Sequence, residues 1–199
     1  MNRGIYAIVG EDDVCRALGQ ALIRQAQIPA QEQMALAAGG FGPFRSKIEK
    51  MNEVAARSMP VLMIADGDQD TCPVRQIGSW KPRHQAPRLQ IRLAVREAES
   101  WLLADHTAFA DFAGISEAAI PRSPDEIVDC KSALLRLISR SRKRILRDEM
   151  LREGQIKPGL GYNFHLISFI ENNWVAERAA ERSQSVARAI PRVREIFSP

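Results

Sequence analysis

Six carboxylates at or just past the ends of apolar runs are the residues in this chain best suited to chemistry: Glu11, Asp66, Asp68, Asp70, Glu97 and Glu99. Glu11 follows Ile5–Val9 and Gly10. Asp66 and Asp68, on either side of Gly67, follow Pro60–Ala65. Glu97 and Glu99 follow Leu89–Val95. Carboxylates crowded together repel, and each loses hydration, so a shared site calls for a cation among them. Mg²⁺ fits such a set, because it takes oxygen ligands, needs few carboxylates and keeps several waters. Mn²⁺ is the alternative ion for the same oxygens. Gly67 leaves the backbone open to close approach by a ligand.

Each acid also has a plainer reading. Asp66 after a strand is common in doubly wound folds of many functions. Asp68 and Asp70 can cap a following turn or helix, and Glu11 can be a first-turn helix acid. Glu97 and Glu99 can pair with Arg92 or Arg96 as surface ion pairs. The run Asp66–Asp70 opens like an EF-hand loop but is not one. Thr71 stands where that loop requires glycine, and Ile77 where it requires a bidentate glutamate. The case for a shared site is convergence: in parallel α/β sheets, ligands bind beyond the carboxyl ends of the strands, which gathers sequence-distant side chains at one edge.

The elements that must do this gathering are visible as alternating apolar patterns. Ile5–Val9 reads as a buried strand. A helix follows, capped by Asp12 or Asp13, with Val14, Ala17, Leu18, Ala21 and Leu22 at helical spacing. Gln33–Ala38 is a strand of poor propensity. Gly39–Phe44 is a loop, followed by a helix with Ile48, Met51, Val54 and Ala55 on one face. Pro60–Ala65 is the strongest strand. Leu89–Val95 alternates in part, which suits an edge, and Glu97–Ala104 is a short helix. Strand, helix, strand in this order predicts an α/β fold with a parallel sheet flanked by helices and right-handed crossovers. Beyond Asp105 the pattern is helical, with main pieces at 131–150, 162–172 and 176–196, and a Gly/Pro-marked joint at 154–161. The expected organisation is an α/β domain over residues 1–130 with a basic helical extension, 131–199, packed on it.

A chain of 199 residues, 45% hydrophobic and 26% charged, is in the ordinary globular range. It has no apolar run long enough to span a membrane. Ile5–Val9 is too short for a signal-peptide core, and no small-residue cleavage site follows it. Cys15, Cys72 and Cys130 are odd in number and far apart, as for reduced thiols, and a cytoplasmic location is expected. His84, His106 and His165 have no zinc-ligand spacing, and a surface position is expected for His106. The charge is uneven: 14 Lys/Arg against 17 Asp/Glu over residues 1–130, and 14 against 7 over residues 131–199. Arg136, Arg140, Lys143, Arg144 and Arg147 recur every three or four residues on one expected helix, whose apolar side is Leu134, Leu135, Ile138 and Ile145. Such a stripe can track nucleic-acid phosphates or be a solvated face. Gly39–Gly42 can cradle a phosphate or be a flexible loop; it lacks the Gly-Lys-Ser/Thr ending of a P-loop.

These motifs also carry a resemblance. Ile8-Val9-Gly10-Glu11 and Leu62-Met63-Ile64-Ala65-Asp66-Gly67-Asp68 resemble the Glu and Asp-x-Asp motifs of the Toprim domain, found in topoisomerases, primases and overcoming-lysogenization-defect type nucleases. In this chain Gly10 precedes the Glu, whereas in the usual motif a Gly follows it. Glu97-Ala98-Glu99-Ser100-Trp101-Leu102-Leu103-Ala104-Asp105 and Gly161-Tyr162-Asn163 are similar to segments of an uncharacterised bacterial Toprim-like family of similar size. The resemblance implies a Rossmann-like, Toprim-like fold and Mg²⁺-dependent phosphodiester hydrolysis on nucleic acid. Asp66 and Asp68 would hold the metal, and Glu11 would be a ligand or general acid/base. Glu97 and Glu99 would complete a second metal site or orient the first. Relatives sit beside an ATPase in phage-defence-like gene pairs, which implies an ATPase partner. Two other functions stay open: a non-enzymatic metal-binding or regulatory partner of an ATPase, and a small-nucleotide phosphohydrolase. The sequence leaves the oligomeric state open.

Overall fold

The computed structural model describes residues 4–67 and 72–197. Asp68 and Asp70 therefore lie outside the described residues. The fold is an α/β, Rossmann-like arrangement around a four-stranded, all-parallel sheet of order β2-β1-β3-β4. The strands are β1 (Gly4–Gly10), β2 (Ala30–Ala37), β3 (Val61–Asp66) and β4 (Leu89–Ala94). Helix α1 (Asp13–Gln25) joins β1 to β2. Helices α2 (Phe41–Ser46) and α3 (Ile48–Arg57) join β2 to β3, and α4 (Pro73–Trp80) lies between β3 and β4. Strand order reverses between β1 and β3, so this fold opens its ligand crevice beyond the carboxyl ends of those two strands.

Alternation along the strands separates two packed faces. Ala7, Val9, Val61, Met63, Ala65, Leu89, Ile91 and Leu93 face a core built with Phe44, Ile48, Met51, Ala55 and Trp80. On the other face α1 comes very close. A Cβ added at Gly19 would lie 3.0 Å from Ile8 Cγ2 and 3.4 Å from Ile64 Cδ1. Tyr6 meets Phe197 edge to face, with ring centroids 5.8 Å apart. The edge strand β2 is half-exposed, and its register against β1 slips between Tyr6 and Ala7. Its alanine- and glutamine-rich sequence gives a weak strand pattern because little of it is buried.

The chain divides into two compact units, Met1–Ala94 with Arg188–Pro199, and Val95–Ala187. The boundary expected at 130/131 falls inside the second unit, at the start of α7. That unit is helical: α5 (Ala98–Ala104), α6 (His106–Ala113), α7 (Cys130–Ser139), α8 (Arg144–Met150), α9 (Tyr162–Asn172), α10 (Ala176–Ala180) and the start of α11 (Gln184–Glu195). Two long helices expected from the sequence are broken. At 140–143 the buried Ser141 turns the chain, its hydroxyl accepting the Lys143 N–H at 3.0 Å. At 181–183 the buried Ser183 accepts the Val186 N–H at 3.2 Å and starts α11. Because of the first break, Ile145 is exposed rather than on an apolar face. Among the described residues, no helix is long and apolar enough to cross a membrane.

Candidate functional site

The carboxyl ends of β1 and β3 bring Glu11 and Asp66 together. Glu11 N–H donates to the Ile64 carbonyl at 2.8 Å, continuing the ladder one residue past β1. Its carboxylate then turns back and accepts the Asp66 N–H at 3.3 Å. The two residues, 55 apart in sequence, thus meet at the switch point. Gly10 makes this turn feasible. A Cβ there would lie 2.2 Å from the Arg16 nitrogen and 2.5 Å from the Asp12 carbonyl oxygen, so only glycine lets α1 start so close to the strand end.

The surrounding residues fix both acids. Asp12 caps α1, accepting the Cys15 N–H at 2.8 Å. The Cys15 thiol is buried and donates to Asp66 Oδ1 at 3.6 Å. Burial pushes that thiol's pKa well up, and the negative charge of Asp66, Asp12 and Glu11 pushes it further. Gly39 and Gly40 donate their N–H groups to the Glu11 carbonyl at 3.0 and 2.9 Å. These two amides of the glycine loop therefore hold the end of β1. Gln76 Nε2 donates to the Asp66 carbonyl at 3.4 Å. Gln76 is 3% exposed, and its Oε1 has no hydrogen-bond partner among the described residues. Also among the described residues, no group of three or more His, Cys, Asp and Glu side chains is placed to hold a metal ion.

The other two expected metal ligands make contacts within the second unit. Glu97 Oε2 accepts the Lys131 N–H at 2.8 Å, at the start of α7, where a negative charge suits the helix end. Glu99 is 5% exposed and accepts the Tyr162 hydroxyl at 2.7 Å. Lys131 Nζ lies 3.9 Å from Glu99 and 5.3 Å from the centroid of the Tyr162 ring. Burial raises the Glu99 pKa, opposed by the Tyr162 hydroxyl and the Lys131 charge. Asp105, fully buried, is held by both nitrogens of an Arg178 fork at 2.8 Å and by the Val175 N–H at 2.8 Å. His106 is buried, contrary to expectation, with Nε2 3.1 Å from the Pro121 carbonyl.

The basic residues do not share one helix. Arg136 lies on α7 and Arg140 ends it, both exposed. Lys143 precedes α8 and donates to the Asp111 carbonyl at 2.7 Å. Arg144 pairs with Asp148 at 3.0 Å, and Arg147 donates to the Ser141 carbonyl. Two neighbouring grooves in this unit, of about 740 and 560 Å³, share Asp148, Leu151, Arg152 and Glu153. The larger is lined by Arg152 with Asp148, Glu149 and Glu153, and the smaller by Arg144, Arg147 and Arg152 with Asp148 and Glu153.

Cys15, Gln76 and Tyr162 were not expected as partners of the acids. Cys15 did carry a signal, since it lies beside Val14 and Ala17 in a helix expected from the sequence, whereas Gln76 carried none. Tyr162 carried none beyond its place in the Gly-Tyr-Asn segment. No family model matches the chain, and neither a curated protein nor a solved structure matches it.

Proposed function

We propose that this chain is a Toprim-like hydrolase that cleaves phosphodiesters in nucleic acid with the help of a divalent cation. The observation that carries this is the 3.3 Å hydrogen bond from the Asp66 N–H to the Glu11 carboxylate, made where α/β sheets receive their ligands. Two carboxylates from different strand ends suit Mg²⁺, which is commonly held by one or two carboxylates together with substrate phosphate. Such an ion, when bound, supplies charge stabilisation to a phosphoryl group and lowers the pKa of a water. Glu11 and Asp66 would hold it, and the Cys15 thiol and the Asp66 backbone contacts would keep the aspartate in place. Glu11 would also accept the proton of the attacking water. Asp68, two residues past the end of β3, is the expected further ligand. The contacts of Glu97 with Lys131 and of Glu99 with Tyr162 favour one ion over two.

Nucleic acid as substrate rests on the basic C-terminal third and on exposed Arg136 and Arg140. The Toprim resemblance extends the proposal to an ATPase partner. The test is cleavage of labelled DNA and RNA in Mg²⁺ or Mn²⁺ by the wild type, Glu11→Ala and Asp66→Ala. Loss of a proton-transfer group and cation ligand should lower the rate by about a hundredfold or more. Equal rates in all three would assign the cleavage to a contaminant and remove the proposal. Hydrolysis of free nucleotides with no polymer cleavage would instead make the chain a small-nucleotide phosphohydrolase.

A further inference from the structure

Gln76 extends the site beyond its two carboxylates. It sits midway along α4, is buried, and is anchored by one end only: Nε2 donates to the Asp66 carbonyl while Oε1 meets no donor among the described residues. A buried acceptor left without a protein partner is costly in a folded protein and calls for a donor or a cation to meet it.

The strand tells where that amide lies. Along a parallel strand the backbone groups face the two neighbours alternately, and the N–H and C=O of one residue face the same side. The Ile64 carbonyl faces β1, where it accepts the Glu11 N–H. The Asp66 N–H faces the same way, to Glu11 Oε2. The Gly67 N–H faces β4, donating to the Ala94 carbonyl at 2.8 Å. The Asp66 carbonyl therefore also faces the side where β1 has ended. The Gln76 amide thus meets Asp66 on the same edge of β3 on which the Asp66 N–H meets the Glu11 carboxylate.

We propose that Gln76 Oε1 is a neutral oxygen ligand for a divalent cation held by Glu11 and Asp66, which rests on the assignment of a cation to those two acids. Side-chain amide oxygens are ordinary ligands of hard cations. A neutral oxygen also adds a ligand without adding to the repulsion between the carboxylates. The hydrogen bond to the Asp66 carbonyl fixes which end of the amide is free to do this.

The test is calorimetric titration of the full chain with Mn²⁺ in four forms: wild type, Gln76→Met, Gln76→Glu and Glu11→Gln. Gln76→Met should bind Mn²⁺ roughly tenfold more weakly, yet melt no lower than the wild type without metal, because the orphan acceptor is gone. Gln76→Glu returns an oxygen to the position and should bind at least as tightly as the wild type. If Gln76→Met binds within about twofold of the wild type while Glu11→Gln does not bind, the acids keep their cation and Gln76 loses its role. If Gln76→Met melts lower and Gln76→Glu binds no better than it, Gln76 is a packing residue and the proposal fails. A wild type that takes up no Mn²⁺ removes both this proposal and the assignment beneath it.

Discussion

The Tyr162 hydroxyl donates to the Glu99 carboxylate at 2.7 Å across 63 residues of sequence, and both side chains are buried. Burial raises the Glu99 pKa, so the folded state holds a proton there more tightly than the unfolded chain does. The stability this contributes is fully present below the unfolded glutamate value of about 4.3 and is lost as pH rises through the raised folded value. Replacing Glu99 with Gln keeps a partner for Tyr162 and should flatten the pH dependence of the unfolding midpoint above pH ~4. Tyr162→Phe removes the donor and should cost about 1–3 kcal/mol. Urea unfolding at a series of pH values checks both, and parallel profiles for wild type and Glu99→Gln would contradict the first.

Asp105, fully buried, and Arg178 form a two-point ion pair at 2.8 Å in the helical unit. Arg178→Met leaves Asp105 buried with, among the described residues, only the Ala108 and Val175 N–H donors. The expected loss is about 3 kcal/mol, the low end for a broken buried pair, because the arginine itself is partly exposed. Chemical denaturation measures it; a loss under about 1 kcal/mol would mean that solvent screens the pair as it does on a surface.

Gly40 has φ 113° and ψ 176°, a region open essentially to glycine alone. A Cβ there would touch nothing within 4 Å, so Gly40→Ala isolates backbone strain and should cost about 1–3 kcal/mol. Gly42→Ala, inside α2 with equal space around it, should be neutral or stabilising by up to about 1 kcal/mol. Thermal melts of the two variants should move apart, and equal shifts would contradict the role given to Gly40.

The three thiols should separate by reactivity. Cys72 is exposed, whereas Cys15 and Cys130 are buried. The Cys15 pKa is pushed well up and that of Cys130 to about 12, burial being the main cause in both. A thiol kept protonated is a poor nucleophile. A colorimetric disulfide reagent near neutral pH should therefore titrate one thiol rapidly in the native protein and three in denaturant. Rapid reaction of two in the native state would contradict the burial of Cys15 beside Asp66.

Most of the scaffold was legible because its strands are short apolar runs with alternating environments. Val61–Asp66 and Gly4–Gly10 fall within a residue or so of the pattern that marks them. Helix interruptions were not legible, because Ser141 and Ser183 act through buried hydroxyls that no periodicity registers. That Glu11 and Asp66 lie at neighbouring strand ends, in hydrogen-bond contact, followed from strand direction. The environments of Glu97 and Glu99 did not, since the Lys131 N–H and the Tyr162 hydroxyl come from helices 34 and 63 residues away. Gln76 escaped notice because an amide on a helix is chemically unremarked until burial strips one end of its partner.

The most direct measurement is the anomalous scattering of a crystal soaked in Mn²⁺. A single peak within coordination distance, about 2.0–2.3 Å, of both the Glu11 and Asp66 carboxylates is the expected result. No peak at the switch point, or one bound only by residues elsewhere, would contradict the account.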